Sequence, residues 1–140
     1  MMSIRSLKSP VIPVLVLALL AGFGIGLSFY QRSKLALPSH VDTLAKFSAE
    51  MPQPEKVIAF DMNGSSYVEL IGRPPRFSLF PVPSGPPAYI FDSTGHISYW
   101  TIDVGDSTGY WEDFQNRSNS REISIREALE LVKGVKEGVS

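Results

Sequence analysis

The residues able to do chemistry are few and lie in the second half of the chain: Asp92, His96, Asp103, Asp106, Ser107, Glu112 and Asp113. Gly105-Asp106-Ser107 sets a hydroxyl on a turn, and Asp92 with His96 supplies the residue types that would activate it. A serine nucleophile also needs a rigidly held base and donors for the oxyanion, and a chain with two histidines and no second acid–base pair leaves little for either. Asp and Gly have a plainer role there as turn formers. Asp92-Ser93-Thr94-Gly95 brings an acid close to Thr-Gly, but no second acid of that kind is present to share a proton with it. The acids and His96 are also hard or borderline metal ligands, yet Asp103-Val104-Gly105-Asp106 lacks the alternate-residue ligands of a calcium loop, which favours a solvated acidic loop.

Charge is distributed unevenly. Residues 1–40 carry four basic and no acidic residues, and 41–140 carry nine basic and fourteen acidic ones. An acidic body disfavours nucleic-acid binding, which depends on a cationic face that displaces counterions from phosphate. The absence of cysteine excludes disulfides, thiolate metal sites, a catalytic thiol and a lipid-modified cysteine. Between Arg76 and Arg117 there are forty residues without Lys or Arg but with five acids. Tyr110, Trp111 and Phe114 lie in its polar part, and Asp106, Tyr110, Trp111, Glu112 and Asp113 together have the composition of a recognition patch for a basic or polar protein partner. The competing expectation is that the loop folds back and buries its rings.

The elements that must position these residues begin with a membrane segment. Val11 to Tyr30 is twenty almost wholly apolar residues, about 30 Å as a helix, which is the hydrocarbon thickness of a bilayer. A cleaved signal peptide competes, with Arg5 and Lys8 as its basic flank, but its apolar core is usually shorter and its cleavage site follows the run instead of lying within it. The predicted order is a basic flank at 1–10, a transmembrane helix at 11–30, a linker at 31–40 and a small extracytoplasmic domain at 41–140. Arg32 and Lys34 are expected to snorkel at the interface beside Phe29 and Tyr30. Ala18, Gly22 and Gly26 recur on one face and would allow a homodimer through the membrane helix.

The outer part reads as α+β, with a short antiparallel sheet and two or three helices. Ser39 or Asp42 caps a helix whose inner side carries Val41, Leu44, Ala45 and Met51, and Lys56 to Phe60 is a strand. Ser66 and Glu69 have capping-box spacing and Gly72 suits a helix end, predicting a two-turn helix; the rival is a strand paired through Asn63-Gly64. Residues 74–87 hold six of the eleven prolines and form a loop or sheet edge. Ala88 to Phe91 and His96 to Val104 form a β-hairpin turning at Asp92-Ser93-Thr94-Gly95, with Ile97, Tyr99 and Thr101 sharing one face. Gly105 to Ser124 reads as a surface connection, and Ser124 to Glu127 caps a final helix with Ile125, Ala128, Leu129, Val132 and Val135 inward and Gly134 at its frayed end.

Gly64 to Pro74, SSYVELIGRP after the glycine, followed by Phe91-Asp92-Ser93-Thr94-Gly95-His96-Ile97, resembles the SmpA/BamE-type small envelope domains: a short helix ending in a Leu-x-Gly-x-Pro-like pattern, then a hairpin with Phe-Asp-x-x-Gly. The resemblance covers residues 64–97 and implies a non-catalytic helix-and-sheet module that supports protein assembly in an envelope. The chain departs from that pattern in its missing lipid-anchoring cysteine, its proline-rich insert and its last helix. The expected function is therefore a single-pass, membrane-anchored protein with a non-catalytic protein-binding or envelope-structural domain, needing no cofactor. The alternative is a small metal-dependent hydrolase or metal-binding domain built on Asp92, His96, Asp103 and Asp106.

Overall fold

The computed structural model describes residues 10–75 and 85–137, with side chains to residue 133. The basic flank with Arg5 and Lys8, most of the proline-rich segment (76–84) and the inward placement of Val135 lie outside that range. Helix α1, Val11–Ser33, is long and apolar enough to cross a membrane and exposes nearly all its large side chains. It is followed by α2 (Leu44–Glu50), β1 (Lys56–Met62), β2 (Ser65–Ile71), β3 (Ala88–Phe91), β4 (Ile97–Thr101), α3 (Thr108–Asp113), β5 (Ser118–Glu122) and α4 (Ile125–Glu137). The five strands form one antiparallel sheet in the order β4-β3-β2-β1-β5, an α+β architecture.

Both faces of the sheet are covered. Alternation along each strand sends Val57, Val68, Leu70, Tyr89 and Phe91 to one face, where α2 supplies Leu44 and Phe47 and α4 supplies Ala128, with Ile125, Leu129 and Val132 at the margin. Phe60, Met62, Ala88 and Ile90 point to the other face, against Tyr110 and Phe114 of the α3 region. Phe47 stacks its edge on Phe91 and tilts against Tyr89, with centroids 5.8 and 4.7 Å away.

Several local expectations change. Residues 66–71 are strand, not helix: Asn63 (φ 53°) and Gly64 (φ 77°) both take positive φ, forming the two-residue turn that pairs Met62 with Ser65. The two residues with capping-box spacing then point to opposite faces, Ser66 Oγ donating to Asp61 Oδ1 at 2.7 Å and Glu69 lying fully buried beneath α3. The α2 cap is Thr43, whose Oγ1 accepts from the Lys46 N–H at 3.3 Å; Asp42 instead receives Lys46 Nζ at 2.6 Å. Starting at Leu44 places Phe47 inward at i+3 and leaves Ala45 exposed.

The hairpin of β3 and β4 forms as expected, but the register shifts between Ile90 and Phe91, so Phe91 faces Ile97 while Ile90 faces Tyr99. This irregularity separates Ile97 and Tyr99 onto opposite faces, because one additional residue reverses the pleat. The supposed surface connection contains α3 and β5. Ser107 caps α3 by accepting from the Tyr110 N–H at 3.2 Å, and β5 lies along β1 with a register shift near Asn119, which has φ 52°. Ser124 Oγ accepts from the Glu127 N–H at 3.1 Å, as the capping pattern predicts, and α4 continues through Gly134 to Glu137.

Gly95 has a double constraint. Its φ is +82°, and a Cβ there would lie 2.4 Å from Val132 Cγ1 of α4. Gly95→Val is expected to destabilise the domain by about 2–3 kcal/mol through left-handed strain and overpacking, whereas Ser93→Ala should stay within about 0.5 kcal/mol. Thermal unfolding of both full-length variants checks this; equal midpoints would contradict the close approach of turn and helix.

Candidate functional site

Glu69 stands on the middle strand, pointing into the layer beneath α3, with no exposed surface. A carboxylate in that position needs partners, since an unpaired buried charge is costly. Tyr110 Oη donates to Glu69 Oε1 at 2.5 Å, and the Arg117 guanidinium closes over both oxygens, Nη1 on Oε2 and Nη2 on Oε1 at 3.3 Å. Arg117 also lies over the Phe60 ring at 4.3 Å, and its Nε donates to the Phe114 carbonyl at 2.9 Å. Burial pushes the Tyr110 hydroxyl up to about 12, reinforced by its bond to Glu69. Burial works against the Arg117 charge, but Glu69 outweighs it and raises the pKa. The forty-residue gap in basic residues thus ends at the one that neutralises this acid.

The five residues of the expected patch divide around this network. Tyr110 is in the core at 7% exposure, whereas Trp111 is 58% exposed and Asp106, Glu112 and Asp113 are also exposed. Trp111 is held in place although exposed: its Nε1–H donates to the Val104 carbonyl at 3.0 Å, and its ring stands perpendicular to Tyr110 at 5.1 Å. What solvent meets on α3 is therefore a fixed indole among carboxylates, suited to binding a cationic or polar surface by desolvation and charge.

The residues of the hydrolase alternative lie at opposite ends of the hairpin. At the turn, Asp92 Oδ1 accepts from the Thr94 N–H at 2.9 Å, the Thr94 hydroxyl at 2.6 Å and the His96 N–H at 3.1 Å, while Thr94 Oγ1 meets His96 Nδ1 at 2.9 Å. Burial raises the Asp92 carboxyl, but these donors more than offset it and hold its pKa below the usual value. Asp103 follows the far end of β4. Among the described residues, no group of three or more His, Cys, Asp or Glu side chains converges where a metal could be held.

Asp103 has another partner. It and Arg32 are both buried, with Arg32 Nη2 3.5 Å from Asp103 Oδ2. Arg32 also donates to the carbonyls of Ile102 and, at 2.9 Å, Gly85, while the Asp103 carboxylate accepts from the Gly105 N–H at 2.8 Å and the Gly85 N–H at 3.2 Å. The helix predicted to end at Tyr30 continues to Ser33, and the arginine expected to snorkel is turned into the domain. The supposed linker is also docked, with Tyr89 Oη donating to the Leu35 carbonyl. Sequence reasoning missed Glu69, Arg117 and the Arg32–Asp103 pair; an acid at an inward strand position and the isolated Arg117 were the available signals. Ala18, Gly22 and Gly26 remain on an open face of α1, with space around both glycines.

Two clefts accompany these features. One of about 310 Å³ lies between α4 and the sheet, with Val68, Leu131 and Val132 in its wall and Asp61, Asp92 and Arg121 at its polar side. Asn119 and Ser66 hold the Asp61 carboxyl below its ordinary pKa by hydrogen bonding. A smaller cleft of about 160 Å³ lies at the foot of α1, lined in part by Leu35, Phe47, Pro54 and Pro87.

The tyrosines supply a test of the buried network. Burial raises Tyr89 to about 12, the same value as Tyr110, against an ordinary tyrosine near 10. The folded chain binds both protons more tightly than the unfolded one, so this stabilisation is complete below about pH 10 and is lost as pH rises through about 12. Ultraviolet titration should show late-ionising steps from Tyr89 and Tyr110, together with a falling unfolding midpoint over that window, and Tyr110→Phe should remove one late step. A late step that Tyr110→Phe leaves unchanged, or no late step in folded protein, would contradict the burial of the network. Comparison of the chain with protein-family models, curated proteins and solved structures finds no match.

Proposed function

We propose that the protein is anchored by α1 as a single membrane span and that its α+β domain, held outside the cytoplasm, binds another protein or stabilises an envelope complex without catalysis. The observation that carries this is the junction: an apolar helix with its large side chains exposed is fastened at its foot to a folded domain by the buried Arg32–Asp103 pair. A helix with that surface is costly in water and favourable in lipid. The acidic rim around Trp111 on α3 is the domain's recognition surface, and its partner presents basic or polar groups. The SmpA/BamE-type resemblance supports an envelope role through its hairpin, although the segment read there as a short helix is strand β2.

Alkaline carbonate extraction is expected to leave the chain in the membrane pellet at full-length mass. Release into the supernatant, or a mature N-terminus within or just after α1, would overturn the anchor.

Trp111→Ala should weaken capture of the partner from solubilised membranes at least tenfold while shifting the unfolding midpoint by no more than a few degrees, since an exposed anchor residue contributes far more to binding than to folding. Reversing Asp106 and Asp113 should weaken capture more strongly at low salt, where screening is least. Unchanged capture in both variants would remove α3 as the binding surface.

A further inference from the structure

We propose that the cleft at the foot of α1 binds an anionic phospholipid of the adjoining leaflet, with a short headgroup-proximal segment of one acyl chain against the cleft wall and the headgroup phosphate on Arg73. This rests on the membrane reading above. The position follows from the chain: α1 has 23 residues, about 34 Å of helix against about 30 Å of hydrocarbon, so its last turn reaches the headgroup level. Leu35, two residues beyond that end, lines the cleft, and its carbonyl is fixed by Tyr89. With Arg32 clamped on Asp103, the cleft is held at that level and does not swing away from it.

Its chemistry agrees with its position. The described lining is mainly Leu35, Phe47, Pro52, Pro54, Pro87 and Tyr89, an apolar wall with room for a short segment of one acyl chain at about 160 Å³. Among the described residues that line it, Arg73 carries the sole charge and is exposed, and no described residue pairs or hydrogen-bonds with its guanidinium. Lys34, next to Leu35 in the chain, is also exposed and rests over the Tyr30 ring at 4.7 Å, a second cation near the end of α1. An apolar slot with an unengaged guanidinium at its mouth matches an amphiphile with a fatty tail and an anionic head.

The test uses the full-length chain with Gln53, which lines the cleft, replaced by photoreactive benzoylphenylalanine, in vesicles of equal parts phosphatidylcholine and phosphatidylglycerol. Irradiation and intact-mass analysis should give phosphatidylglycerol adducts in several-fold excess over phosphatidylcholine adducts. Arg73→Gln should reduce that preference about fivefold, the scale of one basic residue at an anionic surface, with the total lipid yield maintained. Absence of lipid adducts, equal adducts of both lipids, or a cross-link to a second copy of the chain would overturn the proposal. Carbonate extraction of the same vesicles separates the two readings: a chain retained without lipid preference sinks the cleft alone, and a released chain sinks the membrane anchor with it.

Discussion

A carboxylate with no exposed surface on the middle strand is the constraint around which one whole layer is organised. Glu69 interrupts what would otherwise be an apolar run in β2, and its burial is tolerable only if its oxygens are filled. Tyr110 and Arg117 fill them, one from α3 and the other from the segment leading to β5. Together they fix the layer over the sheet at two points seven residues apart, and Phe114 between them packs on Phe60 and Tyr67. Such a pair contributes little net stability over an apolar replacement, but losing one partner alone costs about 3–5 kcal/mol because a charge is left buried. The contacts tie both α3 and the segment before β5 to the same carboxylate on the middle strand.

A second buried pair performs the same task between α1 and the domain. Arg32 and Asp103 are paired and buried at a junction where a tether would otherwise be expected, and the surrounding backbone supplies their remaining hydrogen bonds. A Cβ at Gly85 would stand 2.1 Å from Asp103 Oδ1, so the close approach that lets Gly85 bond both partners requires glycine. Helix and sheet consequently share one orientation.

Features that depend on local periodicity or turn chemistry were legible in the sequence. The apolar run of α1, the Asp92–Gly95 hairpin turn, the Ser124 cap and the stripe of α4 each express their structure within a dozen residues. Features that depend on distant partners were not. Ser66 and Glu69 have helix-cap spacing, and only pairing with both β1 and β3 turns that segment into a strand. Arg32 has the type and position of a snorkelling residue until Asp103, 71 positions away, is brought to it. β5 has no inward apolar residues at all, so no alternation marks it; its place is set by backbone bonding to β1. The acidic aromatic patch was half legible, since Tyr110 and Trp111 are adjacent in sequence and their rings touch, but the first is buried in the layer over the sheet and the second is exposed.

The polar character of β5 has a consequence for crowding. An outer strand offers unpaired amide and carbonyl groups to any passing copy, and flat apolar ones invite stacking into fibrils. Ser118–Glu122 is exposed at every position, carries Arg121 and Glu122, and is distorted by the left-handed Asn119 and the register shift beside it. A neighbour adding to it would gain no apolar contact, would desolvate charges, and would meet a ladder out of step. Copies of the domain at high local density thus have little to gain from joining sheets along this edge, so the fold tolerates close neighbours without polymerising through β5.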